Sequence, residues 1–477
     1  MVGKLNKRFG LLQLIFIPLM LLFFICMNIG LVKYNGIITA GSIILFALLG
    51  LCLIWKFGKK LPSVSEKMYR FSLLGVFVTF FIIQTLVCLY VPLPYYSDYI
   101  VVREQAIAMA NDYSILPQYD FYFHSYPYQL GIVVILNTLY ELFGSYKGVE
   151  IATTALVNLS AMLAGLTVCN LTKNRVVAIF VAIMFNVFST FCIKTYMPYS
   201  ANLGMIFPIL MLYVYTLNIK RSWKVILLVL VVVIGYRVKM TTIIPFIAMA
   251  IFGGYKLLKE RDYKTTLVGI IAMLSFIGIS VALHNVLLAK MAYTKDVNAE
   301  RGIIYYFAMG QNNPTGGQYS KDYSILADSL YPMPREERDN YFLEMAIKSI
   351  KERDFVGQVK FFASKIAYCW GETRLDHLSV CKYDELLLIF KHFTWYLALT
   401  LMTVGAFFIR DVRYYMLLLG IWGVIGYLYL SEAGARYVLM YMPIVYVMAG
   451  WTVVEIFKRL KDKGVIKYEL ISCNTHQ

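Results

Sequence analysis

The sequence predicts an all-α polytopic membrane protein with about 12 transmembrane helices and one further juxtamembrane or re-entrant segment. Of its 477 residues, 60% are hydrophobic and only 15% are charged, whereas soluble domains are about half apolar and about a quarter charged. The formal charge of +17 comes from basic residues in short runs between apolar segments, as in the loops of multi-pass proteins. This composition excludes a soluble globule, and the interrupted basic runs argue against nucleic acid as a partner.

Apolar runs long enough to cross a bilayer core of about 30 Å define the predicted transmembrane helices. The first follows Lys4, Lys7 and Arg8 and is too long for the apolar part of a signal peptide, so we expect an uncleaved helix. The runs lie at 9–32, 36–57, 69–92, 149–171, 175–193, 200–219, 223–238, 241–258, 264–290, 386–409, 413–431 and 436–458.

A weaker apolar run at 127–144 decides the predicted topology. If it crossed the membrane, basic pairs such as Lys173/Arg175 and the basic C-terminal tail would lie outside, against the positive-inside rule. We therefore predict that 127–144 lies along the outer interface or re-enters. The protein is then a multi-pass plasma-membrane protein with both termini cytoplasmic and two polar stretches outside.

The predicted topology divides the chain into four parts. Residues 1–68 form two accessory transmembrane helices, and 69–290 form a core whose first outer loop is 93–128. Residues 291–385 form a second extracytoplasmic loop, within which 335–352 has the pattern of an amphipathic helix against the membrane surface. Residues 386–477 supply three transmembrane helices and the basic cytoplasmic tail.

Asp98 is the candidate for acid–base chemistry. It follows the third apolar run by a few residues, so we expect it at the boundary between membrane and water, where a carboxylate partly removed from water can act as a general base. Ile100, Val101 and Ile107, interleaved with polar residues, predict an interfacial helix directly after it. The alternative interpretation is a solvated aspartate or a helix N-cap.

Cations near the predicted outer helix ends are candidates for binding a phosphate. Arg237, Lys239 and Arg436 are at such ends, and Arg103 is on the predicted interfacial helix. They could clamp a phosphate whose lipid tail lies in the bilayer, or they could extend toward lipid head groups. Glu432 shares a short outer turn with Arg436, and a structural ion pair accounts for that spacing equally well.

Polar and aromatic side chains of the outer segments are candidates for contacts with a sugar or an acceptor. Aromatic residues at this depth also form the interfacial belt of membrane proteins, and His124 fits an ordinary hydrogen-bonding role better than a metal role. No metal-ligand spacing such as CxxC occurs, so we predict no metal site, although a divalent cation remains a possible cofactor. Cys369 and Cys381 share a polar loop and could pair. The candidate contact residues are His124, Tyr126, Tyr128, Gln129 and Asn202.

The segment from Asp98 to Gln129 resembles the first outer loop of the GT-C glycosyltransferases. It contains an aspartate after an N-terminal helix, then an interfacial helix, and then Tyr126-Pro127-Tyr128-Gln129. More narrowly, the chain is similar to bacterial relatives of the protein O-mannosyltransferases. Further matches are 236–239, Met309-Gly310…Gly316-Gly317, Lys365…Trp370-Gly371 and Arg436-Tyr437 with Pro443.

The resemblance implies inverting transfer of a sugar from a polyprenyl-phosphate donor, with Asp98 as the base. The acceptor would be an envelope glycan, a lipid or a protein, and the active site would be extracytoplasmic. Ser200 or Asn202 stands where the family leads us to expect an aspartate, so the implied site is metal-free or differently tuned.

Two other functional classes remain open. A cell-envelope polysaccharide polymerase is also polytopic with a large outer loop. A flippase for lipid-linked oligosaccharides, or another transporter, predicts inverted repeats and helices broken near the membrane centre. The sequence contains no such repeat that we can identify, and most of its charges lie near helix ends, which favours the transferase.

Overall fold

The computed structural model describes residues 2–58, 64–260, 263–290, 296, 299–371 and 384–462, and its regular elements there are helices. The first half comprises α1 (Val2–Asn35), α2 (Ile37–Gly58), α3 (Glu66–Tyr90), α4 (Asp98–Ala108), α5 (Asp120–Ser125), α6 (Leu130–Phe143), α7 (Tyr146–Thr172), α8 (Arg175–Thr190), α9 (Ser200–Leu203) and α10 (Ile206–Thr216). The second half comprises α11 (Arg221–Val238), α12 (Ile243–Glu260), α13 (Tyr263–Lys290), α14 (Ile303–Gly310), α15 (Lys321–Ser329), α16 (Arg335–Lys351), α17 (Phe355–Ile366), α18 (Asp384–Phe408), α19 (Val412–Leu430) and α20 (Met442–Asp462).

Seven helical segments among the described residues are long and apolar enough to cross a membrane, which confirms the predicted class of all-helical membrane protein. Each of the twelve predicted runs lies mainly on helix, whereas the number of twelve crossings stays a prediction. The seven segments are Leu12–Asn35, Ile37–Ile54, Glu66–Tyr90, Tyr146–Thr172, Asp384–Phe408, Val412–Leu430 and Ala435–Asp462. Shorter apolar helices are Arg175–Thr190, Ser200–Thr216, Met240–Gly254 and Leu274–Val286.

The weak apolar run at 127–144 forms a short 3-10 turn followed by α6. α6 has 14 residues, or about 21 Å of helix at 1.5 Å per residue, which is shorter than the apolar core of about 30 Å. It ends at Gly144, whose φ of +67° is easily adopted by glycine. One side of α6 packs on α4 and α7, so this segment supports the first outer loop.

The two N-terminal helices pack into the body of the protein. Gly30 of α1 lies directly against the backbone of Ala367, in a π-helical turn at Ala367–Gly371. Phe23 meets the ring of Trp370 edge-on at 5.3 Å, and the side-chain amide of Asn35 donates to the carbonyl of Gly371 at 3.3 Å. α1 therefore supports the segment that connects the second outer loop to the C-terminal helices.

The described residues of the predicted second outer loop, 291–385, fold into helices α14–α17. The predicted amphipathic helix at 335–352 corresponds to α16, whose apolar face is partly covered by protein, whereas its position against the membrane surface stays a prediction. Phe342 and Ala346 are buried, and Phe342 meets Tyr305 of α14 edge-on at 5.4 Å. The apolar helix α14 thus covers part of this face, while Ile347 of α16 exposes 39% of its surface.

Candidate functional site

Asp98 is the first residue of α4 and follows a turn with an unusual backbone. Ser97 has φ +49° and ψ −131°, a region that non-glycine residues seldom occupy and that costs of order 1–3 kcal/mol. The turn is closed by a hydrogen bond from the amide of Tyr99 to the carbonyl of Tyr96 at 3.1 Å. Tyr99 is buried, with 1% of its surface exposed, so tertiary packing holds the strained turn that presents Asp98.

The Asp98 carboxylate contacts groups from two distant parts of the chain. Its Oδ2 lies 3.7 Å from the guanidinium of Arg436 and accepts a hydrogen bond from the Tyr199 hydroxyl at 3.3 Å. The Gln129 amide in turn donates to the Tyr199 hydroxyl at 2.7 Å. The side chains of Asp98 and Arg436 are 28% and 26% exposed, which leaves both reachable by a ligand.

Arg436 is part of a second group of charges around one aromatic ring. The guanidinium of Arg436 lies 5.2 Å and the ammonium of Lys239 5.0 Å from the centre of the Tyr437 ring. Arg436 also donates to the Tyr437 hydroxyl at 3.2 Å, and this hydroxyl donates to Glu432 at 3.1 Å. Two carboxylates and two cations thus meet at one site, which we call the Asp98 cluster: Asp98, Gln129, Tyr199, Lys239, Glu432, Arg436 and Tyr437.

Burial alters the protonation chemistry of the Asp98 cluster. Burial, with the nearby Arg436, lowers the pKa of Lys239 to about 8. Burial also raises the pKa of Glu432 above its ordinary value, although Arg436 opposes that shift. The pKa of Tyr199 is raised by burial and by the charge of Asp98. Tyr199 therefore stays protonated and donates a hydrogen bond to the Asp98 carboxylate.

Hydrogen bonds join the loop that contains Glu432 to the predicted second outer loop. The ammonium of Lys365 donates to the carbonyls of Gly310, Tyr429 and Ser431 at 2.7, 2.9 and 2.7 Å. The amide of Ala433 donates to the carbonyl of Gly317 at 2.7 Å. Gly317 has φ +74°, which glycine adopts without a steric cost. These contacts give Gly317 and Lys365, both singled out in the sequence, a positioning role.

Two of the four predicted phosphate-binding cations have side chains outside the Asp98 cluster. The Arg237 guanidinium donates to the carbonyl of Ser280 in α13. The Arg103 guanidinium lies 4.6 Å from the Tyr95 ring and 5.0 Å from the Tyr146 ring. Arg436 and Lys239 are the two that the structure brings together.

The predicted contact residues fall into separate groups. Gln129 belongs to the Asp98 cluster through Tyr199. Tyr126 accepts a hydrogen bond from Arg301, and the hydroxyls of Tyr128 and Tyr306 lie 3.0 Å apart. Both tyrosines thus line the junction of the two outer loops.

His124 and Asn202 serve local contacts. The Nε2 atom of His124 lies 3.4 Å from Asp120, and its Nδ1 atom accepts a hydrogen bond from the amide of Asp296 at 3.4 Å. Asn202 is buried and donates to the carbonyls of Lys194 and Met197. The His124 contacts join the two outer loops and the Asn202 contacts stabilise the turn before α9, and neither residue meets Asp98 in them.

Metal and disulfide chemistry were the remaining sequence predictions. Within the described part of the chain, no group of three or more His, Cys, Asp or Glu side chains is arranged to hold a metal ion. Cys369 is buried and free, whereas Cys381, its proposed partner, lies outside the described residues.

A model of one protein family, described as conserved hypothetical integral membrane protein, matches residues 4–369. The matched region contains Asp98, Tyr199 and Lys239, while Glu432 and Arg436 follow it. No curated protein and no solved structure matches the chain.

Proposed function

The chain belongs to the conserved hypothetical integral membrane protein family, and we propose that it is a membrane glycosyltransferase. It would move a sugar from a polyprenyl-phosphate donor to an envelope glycan, lipid or protein acceptor at the outer face of the plasma membrane. The observation that supports this proposal is the position of the Asp98 carboxylate in the Asp98 cluster. It is partly exposed and lies 3.7 Å from the guanidinium of Arg436.

The donor phosphate is assigned to Arg436 and Lys239, which flank the same Tyr437 ring. Two cations can hold a phosphate through charge-assisted hydrogen bonds and stabilise the charge that develops on it as it leaves. Lys239 follows α11 and precedes α12; the adjacent Met240 exposes 45% of its surface, and Ile234 in the last part of α11 exposes 48%. This apolar surface gives a polyprenyl tail a path from the bilayer to the cations.

The acceptor supplies a hydroxyl group, and Asp98 takes its proton. The hydroxyl oxygen attacks the anomeric carbon from the side opposite the phosphate, and a new glycosidic bond forms. The bond from the anomeric carbon to the phosphate oxygen breaks, its electron pair stays with the phosphate, and the configuration inverts. A phosphate bound to Arg436 replaces Asp98 as the partner of that guanidinium, which leaves the carboxylate free to accept the proton.

The proposal is tested by incubating the purified full-length protein with a panel of polyprenyl-phosphate sugars and measuring released polyprenyl phosphate. Asp98→Asn keeps the shape of the side chain and removes its basicity, so turnover should fall about 10²- to 10⁴-fold, the usual contribution of a general base. Donor binding should be no weaker than that of the wild type, because the carboxylate makes no favourable contact with the phosphate and competes with it for Arg436.

The matched controls are Asp112→Asn and Asp120→Asn, in the same outer loop. Asp112 binds the neighbouring Ser114 and Asp120 binds His124, so both variants should turn over nearly normally. Full activity in all three variants would contradict the glycosyltransferase proposal. A flippase would release no polyprenyl phosphate, and a polymerase would require a lipid-linked oligosaccharide as its acceptor.

A further inference from the structure

Helix α17 exposes an apolar face near its start. Phe355, Val356 and Val359 expose 83%, 54% and 44% of their surfaces. Because a helix turns about 100° per residue, these three side chains share an arc of about 100°. Phe361, on the other side of the same helix, is buried. A contiguous exposed apolar patch marks a surface that binds a protein or a membrane.

The contacts of α17 with α19 place this helix at the end of a membrane span, since α19 is long and apolar enough to cross a bilayer. The Tyr429 hydroxyl of α19 donates to the side-chain carbonyl of Gln358 at 3.3 Å. The Tyr429 ring meets that of Phe362 edge-on at 5.3 Å. Phe362 also stacks on Trp422, with ring centroids 6.5 Å apart. The helix α17 thus lies across the last turns of α19.

The other end of α17 meets the end of a second span, which belongs to α1. The backbone of Ala367, directly after α17, lies against Gly30 of α1. The next residue, Tyr368, meets the ring of Tyr34 at 5.6 Å. Tyr34 and Tyr429 each lie one residue before the C-terminal end of their helices. Both ends of α17 are therefore attached near the end of an apolar span.

The length of α17 fixes its level relative to the bilayer. Its 12 residues form about 18 Å of helix at 1.5 Å per residue. This length is too short to connect opposite sides of an apolar core of about 30 Å. The C-terminal ends of α1 and α19 therefore lie on the same side of the membrane, and α17 runs from one to the other along that boundary.

The polar side chains of α17 indicate which side of the helix faces the lipid. Lys360 is exposed and lies about 40° beyond Val356 on the helix. Its alkyl chain can follow the apolar face while its ammonium reaches the lipid phosphates. Lys365 points into the protein, where it donates to the carbonyl of Gly310 at 2.7 Å. An apolar face with a basic residue at its edge is typical of helices that lie in the membrane interface.

We propose that α17 is an interfacial helix whose Phe355, Val356 and Val359 insert among the phospholipids at the C-terminal ends of α1 and α19. Lys360 lies at the phosphates of that leaflet. Phospholipid is the occupant of the face, because α17 packs on α1, whose Ile29 exposes 54% of its surface at the same level. The proposal concerns how the helix contacts the membrane and does not depend on glycosyl transfer.

The test places the photo-crosslinking amino acid p-benzoylphenylalanine at position 355 or position 359 of the full-length protein. Cells that contain either variant are irradiated, and peptides of the purified protein are analysed by mass spectrometry. Both positions should form a phospholipid adduct, because both side chains contact lipid. The same amino acid at Ile29 of α1 is the reference for a position inside an apolar span.

Phe361 is the matched control, because it is a phenylalanine of the same helix with only 8% of its surface exposed. Its ring lies 6.5 Å from that of Tyr429, so the crosslinker there should attach within the protein and the phospholipid adduct should be lost. The proposal is overturned if Phe355 or Val359 gives no phospholipid adduct while Ile29 does, or if Phe361 gives as much adduct as Phe355. A crosslink from Phe355 to a second polypeptide, seen as a larger band on a denaturing gel, would assign the face to a protein partner and would also overturn it.

Discussion

The carboxylate of Asp98 lies 3.7 Å from the guanidinium of Arg436, although the two residues are far apart in the sequence. At this distance the pair is loose compared with a direct charge-assisted hydrogen bond of about 2.8 Å. Under the proposed function, Arg436 exchanges this carboxylate for the donor phosphate. The same cation would then couple donor binding to release of the base.

Arg436→Gln should weaken donor binding by about 1–3 kcal/mol, because the phosphate loses a charge-assisted contact. Arg237→Gln is the matched control, since that side chain donates to the carbonyl of Ser280 and not to the Asp98 cluster. Donor affinity can be measured by competition with a labelled polyprenyl-phosphate analogue. Equal losses in the two variants would contradict the assignment of the phosphate to Arg436.

Donor binding should depend on pH through Lys239. Its pKa is lowered to about 8, so the ammonium is charged at neutral pH and donor affinity should fall as the pH rises through about 8. Lys239→Arg should remove this dependence between about pH 6.5 and about pH 9.5, because arginine stays charged.

The same pKa shift predicts the effect of Lys239 on stability. The folded protein loses this proton more readily than the unfolded chain, whose lysine keeps its ordinary pKa of 10.5. The contribution of Lys239 to the free energy of unfolding should therefore rise from about pH 8 to about pH 10.5. For donor binding, an affinity of the wild type that does not change with pH would contradict a role for Lys239 at the phosphate.

Lys365→Met should destabilise the outer helices and reduce turnover. The variant leaves the buried carbonyls of Gly310 and Ser431 without the donor that they share with Tyr429, whose carbonyl still accepts from Gln311. We expect a loss of about 3 kcal/mol in the free energy of unfolding. Lys360→Met on the same helix is the control, because Lys360 is exposed. Thermal unfolding in detergent measures both, and similar midpoints would contradict the positioning role of Lys365.

The predicted topology can be tested with single cysteines in intact cells. A membrane-impermeant maleimide should label Ser114→Cys from outside, because that residue lies in the predicted first outer loop. It should label Lys173→Cys, in a predicted cytoplasmic loop, only after the cells are opened. Labelling of Lys173→Cys in intact cells would mean that the assignment of sides is wrong.

The helical membrane class could be predicted from the sequence, because apolar runs of bilayer length seldom occur outside membrane-spanning helices. A helix was also expected just after Asp98, and α4 begins there. The contact between Asp98 and Tyr199 could not be predicted, since residues of separate loops meet without leaving any pattern of spacing. Tyr199 therefore carries no signal in the sequence that marks it as a member of the site, and Tyr437 was marked only by the family resemblance.

The sequence also could not predict that the side chains of Arg237 and Lys239 contact different parts of the protein. Although two residues apart, they belong to different backbone conformations: α11 ends at Val238, and Lys239 is extended at φ −153°. The helix thus carries Arg237 toward α13, and the break after it sends Lys239 to Arg436. A sequence pattern locates the pair at a helix end but does not fix where that helix stops.

The contact between Gly30 in α1 and Ala367 determines when α1 can complete its packing during biosynthesis. α1 leaves the ribosome long before the turn at Ala367–Gly371 that it packs against. Until then the face around Phe23 must rest against lipid or a chaperone. A side chain in place of Gly30 would block this late docking step, so its defect should appear as accumulation of inserted but protease-sensitive protein rather than as failed insertion.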